Sequence, residues 1–432
     1  MELSQRLEGI MVGEGPRIYN LFPLLVGPIT RWKAELERIA GMGFNWVYIN
    51  PFHYPGFSGS LYAVKDYYRI NPLFLEDAND RPFELLREFL QKAERLGLWV
   101  MMDLVINHTA KDSLLVKEHP QWFRRNPDGS LKSPSAIDPA DARRVTVWGD
   151  LAEIDYENPT QQKEILAYWQ DLLRFYIGLG FMGFRCDAAY QVPPALWTRL
   201  ISGAKSLSPQ ISFFAETLGC QLKEVANLAH CGFDYLFNSS KWWDFHQGWL
   251  LQQYEEFRRI APSISFPESH DTLRLARETG GRAEISRLRY LFAAFLSQGL
   301  LMPIGYEYGF QKRLDVVRTR PGDWEEPAFD LSEFIREVHR MKASSPILNT
   351  EGPVERLSPA KDPLVALAKR AEGSPGMVLA LINPDLKKPH RVRLLPPPTF
   401  SSLQELTLQP TKTISVLPKE LGPAQMRIYY VR

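Results

Sequence analysis

The chain has 432 residues, with 51 Lys+Arg against 50 Asp+Glu (formal net charge +1), 45% hydrophobic and 23% charged residues. This is an ordinary globular composition and excludes disorder over most of the length. The near-zero charge gives no support to non-specific binding of nucleic acid or an anionic membrane.

The length allows two or three domains, or one barrel of about 250 residues with appendages. The opening MELSQRLEGI lacks a basic start ahead of an apolar run, so no signal peptide is expected. No stretch has the length and apolarity of a membrane span. Cys186, Cys220 and Cys231 cannot all pair and match no CxxC pattern. The expectation is a cytoplasmic chain with no membrane or nucleic-acid partner.

Short apolar runs alternate with segments of helical period. Arg17–Leu21 reads as a first strand and Ile29–Gly41 as an amphipathic helix with Trp32, Leu36 and Ile39 on one face. A second strand is expected at 44–50, a helix at 82–96 stopped by Gly97, and a third strand at 98–106, apolar almost throughout as a strand buried on both faces should be. Residues from about 109 to 150 are polar and lack a period; a structureless loop of that length is improbable inside a compact domain, so they read as an inserted subdomain.

Regularity resumes with a helix at 161–179 and a fourth strand at 181–186. Strands five to eight are expected at 211–215, Tyr235–Phe237, 264–266 and 300–304. Eight strands, each followed by a helix, predict an α/β fold, a (β/α)8 TIM barrel. Past about residue 345 short runs at 364–368, 377–382, 392–395, 413–417 and Gln425–Val431, with Pro-rich spacers, predict a C-terminal β-sandwich. The expected domains are a barrel at 1–108 and 151–345, a subdomain at 109–150 and a β-domain at 346–432.

In such a barrel the active site lies at the C-terminal ends of the strands. The polar residues there are Asn107 and His108 after strand three, Arg185 and Asp187 at strand four, Glu216 after strand five, Glu268 to Asp271 after strand seven, and Glu307 after strand eight. Any one could be a helix cap or a surface charge; five polar strand ends at barrel spacing point to a site. Converging carboxylates suit glycosidic cleavage, one protonated to assist the leaving oxygen and one ionised to attack or to activate water. Glu216 follows Phe213, Phe214 and Ala215, an apolar setting that raises a carboxyl pKa and suits the acid. Asp187 shares a strand face with Arg185, which favours the ionised nucleophile. His108 and His270 are placed to donate to sugar hydroxyls. No HExxH, P-loop or GxGxxG sequence supports a metal hydrolase or a nucleotide enzyme. Trp32, Trp46 and Trp169 fall on core faces; Trp122, Trp148, Trp242 and Trp243 read equally as sugar platforms or as packing.

At these residues MDLVINH (102–108), GFRCDAAY (183–190), FFAET (213–217) and FPESHD (266–271) resemble, in order, the four signature regions of the α-amylase superfamily, glycoside hydrolase family 13. LAEIDYENP (151–159) is similar to the family's extra region, and YAVKDYYRINP (62–72) to the segment after its second strand. The resemblance implies Asp187 as nucleophile, Glu216 as acid/base and Asp271 as the transition-state carboxylate. It also implies that Arg185 orients Asp187, that His108 and His270 contact the sugar at the cleavage point, and that Tyr62 stacks beneath it.

The implied function is a retaining enzyme on α-1,4-glucans or malto-oligosaccharides, working through a covalent glycosyl-enzyme. An amylase-type hydrolase is the first expectation, a 4-α-glucanotransferase or maltosyltransferase the alternative, and a non-catalytic glucan-binding relative a third. No cofactor is needed for the chemistry; Asn107 matches a calcium ligand of many amylases, so a structural calcium is an expectation. Tyr190 and Gln191 stand where many relatives carry Lys-His, which makes Tyr190 a substrate-binding candidate on the acceptor side, and Ala63 replaces an Asp. The segments 116–132 and 305–309 (GYEYG) resemble the maltosyltransferase branch.

Overall fold

The computed structural model describes residues 14–77, 80–138, 141–395, 401–407 and 411–432; the opening segment read above for a signal peptide lies outside them. Eight parallel strands close into a barrel in chain order: β1 Arg17–Leu21, β2 Trp46–Ile49, β3 Trp99–Leu104, β4 Gly183–Cys186, β5 Ser212–Ala215, β6 Tyr235–Phe237, β7 Ser263–Ser265 and β8 Gly299–Pro303. Helices follow each in turn: α1 Ile29–Gly41, α2 Pro82–Arg95, α3 Pro159–Leu179, α4 Pro194–Leu207, α5 Leu222–Ala226, α6 Trp249–Phe257, α7 Ala283–Leu296 and α8 Ser332–Ala343. This is the (β/α)8 barrel that the alternation predicts. The ends of α3 show the local logic: the Asn158 side chain accepts from the Thr160 N–H at the start, and Gly180, at φ 118°, takes the left-handed conformation at the end.

Two apolar layers hold the barrel. Ile18, Trp46, Tyr48, Met101, Phe214 and Ile264 fill its interior, while alternate residues such as Val47, Met102, Phe184 and Phe213 face the helices. The interior is tight at the bottom. A Cβ on Gly183 would come within 2.8 Å of the Trp46 ring, so the first residue of β4 has no room for a side chain.

After β3 the chain leaves the barrel through a neck in which His108–Ala110 pairs with Leu151–Glu153. Beyond it, Ser135–Asp138 and Asp141–Val147 form an antiparallel hairpin. The C-terminal region is a six-stranded antiparallel sheet of β9 Val354–Arg356, β10 Val365–Arg370, β11 Met377–Asn383, β12 Leu403–Glu405, β13 Lys412–Ile414 and β14 Gln425–Val431, in the order β9-β10-β11-β14-β12-β13. A second, two-stranded sheet pairs His390–Arg391 with Glu420–Leu421. The large sheet alternates as the period of two requires: Val365, Leu367, Val378 and Ala380 join the main core, and Ala366, Ala368, Leu379 and Leu381 pack into a core of their own. These sheets fit the expected β-sandwich.

The strand expected at 392–395 is not formed. Val392 and Leu394 do pack against the second core, but the backbone makes isolated bonds, Val392 N–H to Lys419 and Leu395 N–H to Leu357, instead of a ladder. No described helix is long and apolar enough to cross a membrane.

Candidate active site

The period of two inside the barrel builds the site. On β3, Met101 faces inward, so Asp103 does too; on β5, Phe214 faces inward, and Glu216 follows it on the same side. On β4, Phe184 and Cys186 point to the helices, which turns Arg185 and Asp187 toward the axis. Arg185 lies in register with Asp103 across the β3–β4 pair. Each of these strands therefore has an apolar floor and a charged top.

Arg185 links the charges. Its Nη1 donates to Asp103 Oδ1 at 2.9 Å and to Asp187 Oδ1 at 2.6 Å, and its Nη2 stands 4.0 Å from Glu216 Oε2. Asp103 is fully buried and accepts two further bonds on Oδ2, from the hydroxyls of Tyr48 and Tyr62. Burial raises the pKa of both Asp103 and Asp187, with Arg185 opposing it in each case.

Glu216 is held differently. Its two oxygens accept the backbone N–H groups of Ala188 and Leu218, each at 2.8 Å. Burial pushes its pKa up to about 7; Arg185 opposes the rise, and Asp187 and Asp271 add to it. The Ala188 N–H is aimed by a left-handed backbone at φ 41°, uncommon for a residue with a Cβ.

His270 and Asp271 sit on the loop after β7, and Glu268 pins that loop. Its carboxylate, buried with Arg274, accepts from Arg274 Nη1 at 2.8 Å and from the Leu275 N–H. His270 Nε2 lies 2.8 Å from the Tyr62 hydroxyl and 3.0 Å from Asp271 Oδ2. The Tyr62 hydroxyl already donates to Asp103, so the proton of this bond belongs to His270 Nε2. The Tyr62 and His270 rings stack at 5.9 Å and 5°. The Asp271 side chain is 55% exposed; desolvation works to raise its pKa, but His270 first, then Arg185 and Arg313, bring it down to about 2. His108 gives Nε2 to the Tyr62 carbonyl at 3.2 Å, and burial lowers its pKa to about 4.

Tyr62, Asn107, His108, Arg185, Asp187, Tyr190, Glu216 and Asp271 all line one cavity of about 650 Å³. Tyr190 is half-buried there, and burial raises its hydroxyl pKa. Asn107 donates to Gln191 Oε1 at 3.1 Å, and its own buried Oδ1 has no hydrogen-bond partner. Among the described residues no group of three or more His, Cys, Asp or Glu side chains could hold a metal ion.

Two strand-end acids lie elsewhere. Glu268 is spent on Arg274, and Glu307, fully buried, accepts from Tyr19, Arg38 and the Gly305 N–H. Trp148 lines the cavity at 40% exposure, whereas Trp122 is 2% exposed and stacks on His119. Asp103, Tyr48 and Asn50, whose Nδ2 donates to Tyr62, were not singled out from the sequence. Their signal is polarity inside an otherwise apolar strand, where a charged group has to be paired.

The model of the glycogen debranching enzyme glucanotransferase domain matches residues 14–124. The alpha-1,4-glucan:maltose-1-phosphate maltosyltransferase of Burkholderia pseudomallei is 27% identical over 397 residues, covering 87% of this chain and 33% of that protein. That of Myxococcus xanthus is 24% identical over 388 residues, covering 82% and 55%. The chain thus spans only part of the curated relatives it matches. Among solved structures, an alpha-amylase from Geobacillus thermoleovorans complexed with acarbose superposes with a TM-score of 0.76 at 18% identity, covering 96% of this chain and 98% of that one. With the signature residues gathered on one barrel rim, these likenesses support the resemblance of the chain to the α-amylase superfamily, glycoside hydrolase family 13, with relatives among the maltosyltransferases.

Proposed function

We propose that the chain is a retaining α-glucan-active enzyme that transfers malto-oligosaccharide units between glucans. One observation carries the reading: a single guanidinium, Arg185, grips Asp187 and stands 4.0 Å from Glu216, whose pKa is raised to about 7. A pinned carboxylate and a carboxyl that keeps its proton near neutrality thus meet in one cavity, which is the division of labour that glycosyl transfer with retention needs. Asp187 attacks the anomeric carbon while Glu216 protonates the leaving oxygen; Glu216 then takes the proton of the incoming hydroxyl. Asp271, held ionised beside His270, binds sugar hydroxyls as the ring flattens, and Tyr62, His108 and Tyr190 shape the walls.

Hydrolysis, the first expectation from the sequence, shares the first half of this scheme. The names of the relatives support the sequence alternative, transfer, over hydrolysis. The test is a product profile from maltopentaose with and without maltose. A ladder of longer oligomers supports transfer; shorter sugars alone, unchanged by acceptor, return the assignment to hydrolysis. Asp187→Ala is expected to abolish turnover in either case, and an active variant rules out the covalent scheme.

A further inference from the structure

Asn20 and Asn50 top the inner faces of β1 and β2. Ile18 and Tyr48 point into the barrel, so Asn20 and Asn50, two residues further on, do too. Both are fully buried. Asp103 stands on the next strand, β3, and a ladder of polar atoms runs to it from Asn20.

The sense of every hydrogen in that ladder follows from its first rung. Asn20 Nδ2 lies 3.2 Å from the Tyr48 carbonyl and 2.8 Å from Asn50 Oδ1. A backbone carbonyl only accepts, so the Asn20 atom facing it is the amide nitrogen, and the Asn50 atom facing that nitrogen is the amide oxygen. This turns Asn50 Nδ2 to the hydroxyls of Tyr48 and Tyr62, each at 3.1 Å. Each hydroxyl receives a hydrogen from Asn50 and gives its own to Asp103 Oδ2. With its hydrogen committed, the Tyr62 oxygen can only accept from His270 Nε2, 2.8 Å away. An acceptor in place of Asn50 Nδ2 would draw both hydroxyl hydrogens off Asp103.

We propose that Asn50, oriented by Asn20, is a positioning residue: it turns the Tyr48 and Tyr62 hydroxyl hydrogens onto Asp103 and so holds the nucleophile and the third carboxylate in place together. The proposal rests on the transfer reading above for the reaction it serves. Two arms leave the tyrosine pair. Asp103 shares Arg185 Nη1 with Asp187. Tyr62 meets His270, whose Nε2 lies 3.0 Å from Asp271 Oδ2. Bonds in such a chain polarise one another, so the sense set at Asn50 strengthens each later bond. Asn50 acts from the barrel interior, through Tyr62, which lines the cavity.

The experiment substitutes position 50 in the intact chain and reads kcat and KM for maltopentaose across pH. Asn50→Leu keeps a similar volume and donates nothing. Asn50→Asp keeps the shape and, once ionised, puts an acceptor where the donor was. Expected are kcat losses of about threefold for Asn50→Leu and about tenfold or more for the ionised form of Asn50→Asp, the scale of a lost neutral and a lost charge-assisted hydrogen bond. KM should change by less than about twofold, since the contact removed is not to the sugar. Burial near Tyr48, Tyr62 and Asp103, with Arg185 beyond, raises the pKa of the introduced carboxyl. Its protonated form donates one hydrogen, so the Asn50→Asp deficit should shrink as pH falls while the Asn50→Leu deficit stays constant. In a Tyr48→Phe, Tyr62→Phe background Asn50→Leu should cost less than about twofold. Equal deficits at every pH, or an undiminished loss in that background, make position 50 packing alone and overturn the proposal. Neutron diffraction from the unsubstituted chain locates the hydrogens whether or not it is active. An Asn50 oxygen facing the tyrosines, or either hydroxyl hydrogen off Asp103, overturns the proposal and leaves transfer standing. The expected hydrogens in a chain that turns over no α-glucan uphold the network and overturn the transfer reading instead.

Discussion

Arg185 donates through one nitrogen, Nη1, to Asp103 at 2.9 Å and Asp187 at 2.6 Å. Because the two carboxylates share a single cation, a change at Asp103 is felt at Asp187. Asp103→Asn removes a negative charge from the cluster and leaves Arg185 to Asp187. The pKa of Asp187, raised by burial, then falls, and the acid limb of the pH–rate profile moves to lower pH. Breaking one partner of a buried pair costs about 3 kcal/mol or more, so urea unfolding should show a loss of that size. An unmoved acid limb would show that the shared cation does not set the ionisation of Asp187.

Glu216 makes a paired prediction for rate and stability. As the acid, with a pKa of about 7, it should give kcat/KM an alkaline limb near that pH. A carboxyl whose pKa rises from 4.5 unfolded to about 7 folded contributes stability below the lower value and loses it as pH rises to the upper one. The loss by pH 8 is about 3 kcal/mol. Glu216→Gln removes that penalty. It also gives up about 1 kcal/mol, because the amide has one acceptor for two backbone N–H groups. The variant should be more stable than the parent at pH 8 by about 2 kcal/mol and less stable below pH 4.5. A stability difference that does not change with pH would place the Glu216 pKa in its ordinary range.

The barrel and the exposed tops of its strands were legible because both follow periods: apolar runs of strand length, then polar residues where each run stops. Asp187, Glu216 and Asp271 sit at such stops and share one cavity. Asp103 was hidden because it lies within the run WVMMDL, where register, not composition, sets its inward direction. Glu268 and Glu307 show the converse, strand-end acids consumed by arginines, Glu268 by Arg274 six residues further along its own loop and Glu307 by Arg38 from a distant part of the chain. The run at 392–395 alternates as a strand does but finds no continuous partner. That is a tertiary fact no local pattern carries.

Tyr62 combines two functions that substitution can separate. Its hydroxyl ties Asp103 to His270, and its ring stacks on His270. Tyr62→Phe keeps the ring and removes the tie, so kcat should fall by about tenfold with KM little changed, the loss of one hydrogen bond to a charged group. Tyr62→Ala should raise KM as well. Equal kinetics for the two variants would leave the hydroxyl without a part in orienting the site.

Two tryptophans that the sequence could not tell apart should behave oppositely. Trp148 lies on the cavity wall beside the inserted hairpin, 40% exposed. Trp122 is buried against His119 with ring centroids 4.0 Å apart. Trp148→Ala removes an open aromatic face of the kind on which sugars stack, a contact worth about 0.5–1.5 kcal/mol. KM for longer malto-oligosaccharides should rise by about three- to tenfold while the Tm stays put, and Trp148→Tyr should recover most of the affinity. Trp122→Ala instead opens a cavity in the packing, and the unfolding free energy should fall by about 3–5 kcal/mol with KM unchanged in the protein that remains folded. If Trp148→Ala alters stability and not KM, the hairpin wall is packing and the sugar lies deeper, between Tyr62 and Tyr190.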